Sequence, residues 1–256
     1  MRENNETRTI GVILHKLDSY FIISALKGIG QIAGEAGYDL VVMNSGEDLE
    51  REVVNARLLF DSGVDGVIAS LVGIPLVLFG RVGEGDDYDR VMIDNVECRR
   101  LATEHLISQG CKRIMIIEDE DKQAGVRAAE WIMRMKQRPD GLFITNDLAA
   151  ALCISALKEA GIRVPEDIAV VGFNNDPIGR LITPTLTTID YSGYEMGRMA
   201  ASMLVERLTG RRAGAGKIRL ISSGLIVRQS SNRGFTDDEI GADDDGFYLK
   251  DITYSP

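Results

Sequence analysis

Two carboxamides stand where a bound molecule could be recognised. Asn146 follows the run Leu142-Phe143-Ile144-Thr145, and Asn174 follows Ile168-Ala169-Val170-Val171-Gly172-Phe173. Each run is short, apolar and bounded by turn or helix signals, the pattern of a buried strand in a βαβ unit. Ligands of open parallel sheets bind in the crevice outside the carboxyl ends of the strands, and both amides would face it. A carboxamide donates and accepts together, which suits a hydroxylated ligand offering both kinds of group. A local role competes: Asn146 or Asp147 can cap the helix that begins at Leu148. With Asp147 as the cap, Asn146 is left for the ligand. Ser70, at the end of an earlier strand, and His15, just past the first one, are further candidates.

The elements needed to place these groups alternate along the chain. Strand-like runs at 10–14, 40–43, 67–70, 91–93 and 114–117 are separated by helical patterns at 22–36, 50–62 and 97–109. Ala25, Leu26, Ile29, Ile32 and Ala33 share one face of the first helix, which Gly37 stops. Such alternation predicts an α/β fold with parallel sheets.

Composition narrows the class of function. At 256 residues the chain exceeds the size at which one core stops growing, so two domains are expected. A formal charge of -10 argues against direct grip on a phosphate backbone. Cys98, Cys111 and Cys153 are few, odd in number and not spaced as CxxC, which points to a reducing, cytoplasmic setting with neither a disulfide framework nor a zinc site. MRENNETRTI has no apolar core of a signal peptide, and the weakly polar run at 66–80 is too short and too rich in Gly and Pro to span a membrane.

Several motifs invite over-reading. Gly28-Ile29-Gly30-Gln31-Ile32-Ala33 fits the dinucleotide fingerprint, but that fingerprint must follow a strand and open a helix. Here it lies inside a helix, so its glycines read as close packing, and no nicotinamide or other cofactor is implied. His15 and His105 do not form a local metal site, and neither an HExxH nor a Walker sequence occurs. The run TDDEIGADDDGFYLKD, within an acidic C-terminal tail at 236–256, reads as a solvated segment, with Phe247, Tyr248, Leu249 and Tyr254 as its apolar exceptions.

ITNDLAA, IAVVGFNND and TPTLTTID, taken with IGVILHKLDSYFIISALKGI, VMIDNVECRRLATEHLISQGCKRI and SGLIVRQSS in the same order, resemble the effector-binding core of LacI-type bacterial transcription regulators. The blocks span most of 9–233. The resemblance implies two Rossmann-like subdomains with parallel sheets, joined by a three-strand hinge, in the manner of type I periplasmic binding proteins. Residues 9–95 plus 193–210 would form one subdomain, and 96–190 plus 221–235 the other. A small effector of the sugar or purine class would lie between them. The resemblance places His15, Ser19, Tyr20 and Phe21 in a ligand-contacting loop and helix start, although Ser19 also reads as a helix cap and Phe21 as core. It adds Tyr191 to Asn146, Ser70 and Asn174; at Asn174 the family often carries Asp, so a charge is missing here.

The same resemblance implies a homodimer, no catalysis, and operator DNA held by an N-terminal helix-turn-helix headpiece that does not appear before Thr9. Self-association is expected on 149–160, 178–182 and the Leu58-Leu59-Phe60 turn. The main alternative is a sugar-binding protein of a transport system, which shares the two-lobed plan. An enzyme using a nicotinamide cofactor rests only on the misplaced glycines.

Two places conflict with the expected topology. Only Gly73 separates the apolar runs 67–72 and 74–79, whereas parallel neighbours need a crossover of about a dozen residues. Relatives carry a helical stretch there, and a further strand, helix and ligand-holding arginine between Ile117 and Val126. Segments left out of the sequence at both places are the expected explanation; true deletions would leave the second sheet a strand short. Neither Arg127 nor Arg134 replaces that arginine, because both fall on a solvated helical face.

Overall fold

The computed structural model describes residues 7–17, 19–71, 74–80, 88–118, 121, 123–211 and 216–234. The tail at 236–256 lies outside them. In chain order the elements are β1 (Thr9–Leu14), α1 (Tyr20–Glu35), β2 (Asp39–Asn44), α2 (Leu49–Asp61), β3 (Gly66–Leu71), β4 (Ile74–Gly80) and β5 (Asp89–Ile93). There follow α3 (Asn95–Ser108), β6 (Ile114–Ile117), α4 (Ala124–Arg134), β7 (Gly141–Ile144), α5 (Asp147–Glu159), β8 (Ala169–Phe173), α6 (Ile178–Leu181) and β9 (Thr187–Asp190). The last are α7 (Gly193–Leu208), β10 (Ile218–Ile221) and β11 (Gly224–Ile226). No described helix is long and apolar enough to cross a membrane.

The chain divides into two compact units. Unit 1 holds the chain through Ile93 together with Ser192–Ser222, and unit 2 holds Asp94–Tyr191 together with the chain from Ser223. The polypeptide therefore changes unit three times.

The sheet of unit 1 has the order β10-β5-β4-β3-β1-β2. β1 pairs in parallel with both β2 and β3, so the chain steps outward to β2 and returns on the other side of β1. That reversal is a topological switch point, which leaves an open crevice at the carboxyl ends of β1 and β3. Ile10, Val12, Leu14 and Ile68 are fully buried. The conflict at Gly73 is resolved by direction. β4 runs antiparallel to β3, with Val67 opposite Phe79 and Ile68 opposite Leu78, so no crossover is required. The sequence continues through this point without a missing segment.

The sheet of unit 2 has the order β11-β9-β8-β7-β6. Strands β6 to β9 are parallel, and β11 closes the far edge antiparallel to β9. α4 and α5 cover one face, where Ala129, Ile132, Leu142, Ile144, Ala149, Cys153 and Leu157 form the core. Residues 118–123 join β6 directly to α4, so the extra strand and helix expected after Ile117 are not there, and the sequence is unbroken. Two consequences follow: strand order simply follows chain order, and β6 becomes an edge whose apolar residues are only partly covered.

The self-association faces expected from sequence fare differently. Most apolar residues of α5 are spent inside unit 2, with Ala149, Ala150, Cys153 and Leu157 at 0% exposure. Leu59 is also buried, whereas Leu58, Phe60 and Leu181 are exposed.

Close contact between α1 and α7 joins the two stretches of unit 1. A Cβ on Gly28 would lie 2.1 Å from the Tyr194 carbonyl oxygen, and one on Gly197 would lie 2.0 Å from that of Ala25. The glycine pattern in α1 is thus a packing device at Gly28, while a Cβ on Gly30 would meet only Leu40, at 3.8 Å. We expect Gly28→Ala and Gly197→Ala each to destabilise the protein by about 1–3 kcal/mol. Gly30→Ala should be neutral or stabilising by up to about 1 kcal/mol through helix propensity. Urea denaturation of the three variants checks this, and equal losses at Gly28 and Gly30 would contradict the packing assignment.

Candidate functional site

In unit 1 the switch point brings together two residues 55 positions apart. His15 Nδ1 lies 3.0 Å from Ser70 Oγ and 3.1 Å from the Ser70 carbonyl oxygen. An imidazole so placed holds its ring against the strand end, with Nε2 as the remaining polar atom. Ser19 occupies the cap position of α1 in extended conformation but makes no side-chain cap bond. Tyr20, the first helical residue, is 41% exposed. Phe21 is partly buried under α7: a Cβ on Gly193 would sit 2.8 Å from its ring.

In unit 2 the register Phe143 to Val171 puts Asn146 and Asn174 at equivalent places beyond neighbouring strands. The division of labour between Asn146 and Asp147 is the reverse of the one expected. Asn146 is the cap, its side chain accepting from the Ala149 N–H at 3.0 Å. Asp147 is buried and turns sideways to Thr188 Oγ1 and the Asp176 N–H. An extended backbone at Asn146 lets its side chain fold over the first turn, while Asp147, already helical, points back toward the sheet. Asn174 has φ 112°, and its N–H donates to the Ile189 carbonyl at 3.0 Å. Tyr191 packs its ring on Phe173, with centroids 5.2 Å apart, and burial raises its phenol well above the ordinary value.

Beside these residues lies a cavity of about 350 Å³ wholly within unit 2. Asn95, Cys98, Arg99, Glu118, Phe143, Thr145 and Phe173 line it. Asp94 anchors the start of α3 by accepting from the Glu97 N–H at 2.9 Å, which fixes Asn95, Cys98 and Arg99. Arg99 and Glu118 form an ion pair of 2.7 Å, both about half exposed; such pairs contribute little stability and open readily to another polar partner. Burial pushes the Cys98 thiol up, which suppresses the thiolate needed for nucleophilic chemistry. Two aromatic rings with amide, hydroxyl and guanidinium groups suit a small polar ring compound.

Sequence reasoning missed Asn95, Arg99, Glu118 and Thr145. Glu118 and Thr145 are each the first residue beyond a strand, and applying the strand-end rule uniformly would have found both. The guanidinium that lines this cavity is that of Arg99 on α3. Arg127 pairs with Asp121 at 2.6 Å on the surface. His105, a structural residue by sequence, bonds Ser231 Oγ at 2.7 Å, and burial lowers its pKa. Among the described residues no group of three His, Cys, Asp or Glu side chains could hold a metal ion.

Paired α/β units linked by three crossings, each with polar groups at its strand ends, define a periplasmic-binding-protein-like ligand-binding protein. Residues 7–131 match the family described as periplasmic binding proteins and sugar binding domain of LacI family, and residues 118–231 match the periplasmic binding protein-like domain. The chain is 27% identical over 252 residues to the HTH-type transcriptional repressor PurR of Vibrio atlanticus (strain LGP32), covering 80% of this chain and 75% of that one. It is 25% identical over 266 residues to the ribose operon repressor of Halalkalibacterium halodurans, covering 88% and 80%. A putative LacI family regulator from Sanguibacter keddieii shares the fold with a TM-score of 0.78 at 24% identity, over 88% of this chain and 99% of that one. The chain belongs to the LacI-type transcription regulators, of which it carries the core, and it is not an enzyme.

The cap assignment has a measurable consequence. Asn146→Ala should lower stability by about 1 kcal/mol, and Asn146→Ser, which keeps a capping oxygen, should stay within about 0.5 kcal/mol of wild type. Thermal melts at one pH decide this; an equal loss in both variants would show that capping is not what the side chain contributes.

Proposed function

We propose that this chain is the effector-sensing, dimerising core of a cytoplasmic LacI-type repressor, controlling operator DNA through a helix-turn-helix headpiece outside these 256 residues. The observation that carries the reading is the set of neutral hydrogen-bonding groups at the ends of adjacent parallel strands, Asn146 and Asn174, beside a partly aromatic cavity. Neutral amides and hydroxyls match the donor and acceptor groups of a sugar or a purine base. Those are the ligand classes suggested by relatives named for the ribose operon and for purine repression. His15, Ser19, Tyr20, Phe21 and Ser70 are proposed as the contribution of unit 1, and Asn146, Asn174 and Tyr191 as that of unit 2. Effector would bias the arrangement of the units through unequal affinity for two states, with the three crossings as the hinge.

Dimerisation is supported by an apolar surface on unit 1. Edge strand β2 exposes Val41 and Val42, and the adjoining α2 exposes Leu49, Val53, Val54, Leu58 and Phe60. Clusters of this kind on a soluble protein mark an interface, and a twofold dimer is the commonest closed arrangement. The relatives favour regulation over the transport reading, because they are repressors.

Calorimetric titration with D-ribose and with hypoxanthine tests the effector reading. One of the two should bind saturably, and Asn174→Ala should weaken it more than about tenfold, since a lost hydrogen bond to a buried polar group costs about 1–3 kcal/mol. Unaltered affinity in that variant would remove Asn174 from the site, and no binding by either probe would count against the ligand class. Analytical ultracentrifugation should give twice the chain mass, and Phe60→Asp should halve it; a monomeric wild-type protein would overturn the dimer.

A further inference from the structure

Asp147 is a buried carboxylate whose helix does not need it, because Asn146 already caps α5. Its side chain instead spans to two neighbouring segments. Oδ1 accepts from Thr188 Oγ1 on β9 at 2.8 Å, and Oδ2 accepts from the Asp176 N–H at 2.7 Å. Gly172 makes the room: a Cβ there would lie 2.1 Å from Oδ1.

The segment so held is strained. Asn174 and Asn175 are consecutive non-glycine residues with φ of 112° and 50°. Conformations of this kind are costly for residues with a side chain and persist only where the surroundings over-determine them. The Thr188 hydroxyl also accepts from the Asn175 N–H at 3.3 Å, and the Asn175 side chain is tied to Asp190 at 3.4 Å and to Arg228 at 2.9 Å. Asp147 and Thr188 together thus connect the rigid start of α5 to the turn that carries Asn174.

We propose that Asp147 is a positioning residue: its carboxylate latches the strained turn at Asp176 and Thr188 and so sets the orientation of Asn174. The inference rests on the effector-binding role given to Asn174 above, and extends it to a residue that does not itself reach the ligand.

Its electrostatics set it apart from an ordinary stabilising contact. Burial raises the carboxyl to about 6, against the pull of the Asp176 N–H and the Thr188 hydroxyl, and the Asp176 carboxylate adds to the rise. The charged groups around the turn are Asp176, which also accepts from the Ile178 N–H, Asp190 at the end of β9, and Arg228, bonded to Asn175 and to the Leu186 carbonyl. A raised folded-state pKa means that the native protein holds this proton more tightly than the unfolded chain. The stabilisation it brings is complete below the ordinary carboxylate value and is lost as pH rises through about 6. At neutral pH the ionised group therefore costs stability, while presenting its strongest acceptors to the turn.

Amide hydrogen exchange of the full chain, with Asp147→Asn and Thr188→Val as variants, tests the latch without needing a ligand. Exchange at Asn175 and Asp176 should accelerate at least about tenfold in both variants at pH 7.5, with the α5 amide of Ala150 unchanged. In wild type the protection of the two turn amides, corrected for intrinsic rates, should fall between pH 7.5 and 5, and in Asp147→Asn it should not. Unchanged protection in both variants overturns the proposal, as does equal loss across α5, which would mark a helix-wide effect. The effector reading fails separately, if wild type binds neither D-ribose nor hypoxanthine; where wild type binds D-ribose, equal affinity in Asp147→Asn also overturns the latch.

Discussion

Parallel pairing is the constraint on which the rest of this molecule depends. When β1 and β3, or β7 and β8, run in the same direction, their carboxyl ends emerge on one edge of the sheet. Residues with no sequence proximity then share a surface. His15 meets Ser70 across 55 positions for this reason, and Asn146 stands level with Asn174 because Phe143 pairs with Val171. Backbone groups of the strands are satisfied by their ladders, so side chains beyond the ends are available for recognition. Where the chain cannot supply a crossover, as at Gly73, it reverses direction, and β4 takes no part in that shared edge.

The groups gathered there are chosen for hydrogen bonding rather than charge. Asn146 and Asn174 are neutral, and the ion pair of Arg99 and Glu118 cancels itself beside the cavity. Cys98 and Cys153 are held as thiols by burial, the latter pushed up to about 12, so neither competes as a nucleophile. This is the chemistry of a receptor.

Much of this organisation is legible in the residues. Strand runs such as Ile10 to Leu14 and Leu142 to Ile144 appear where composition and turn signals place them, and of the glycines inside α1, read from sequence as close packing, Gly28 packs against α7. What escapes a sequence reading is direction and side-chain aim. The run 74–79 has the same apolar character whichever way it pairs, so nothing in it announces an antiparallel neighbour. Asn146 and Asp147 are both good caps by type; which of them caps depends on a single backbone conformation, extended at Asn146 and helical at Asp147. The cavity lining escapes because it joins α3 to three strand ends, a juxtaposition set by packing.

The short connection after Ile117 has a bearing on how this protein behaves in concentrated solution. β6 is left with one side of its ladder unpaired, and Ile114, Met115, Ile116 and Ile117 include neither charge nor proline to discourage a neighbouring chain. Native sheets usually guard such borders. Here the guards stand at either end, Lys112 and Arg113 before the strand and Glu118 after it, in the manner of gatekeepers that keep an adhesive stretch in solution. Losing the charges of Lys112 and Arg113 would leave the N-terminal end of this border unguarded against edge-to-edge stacking.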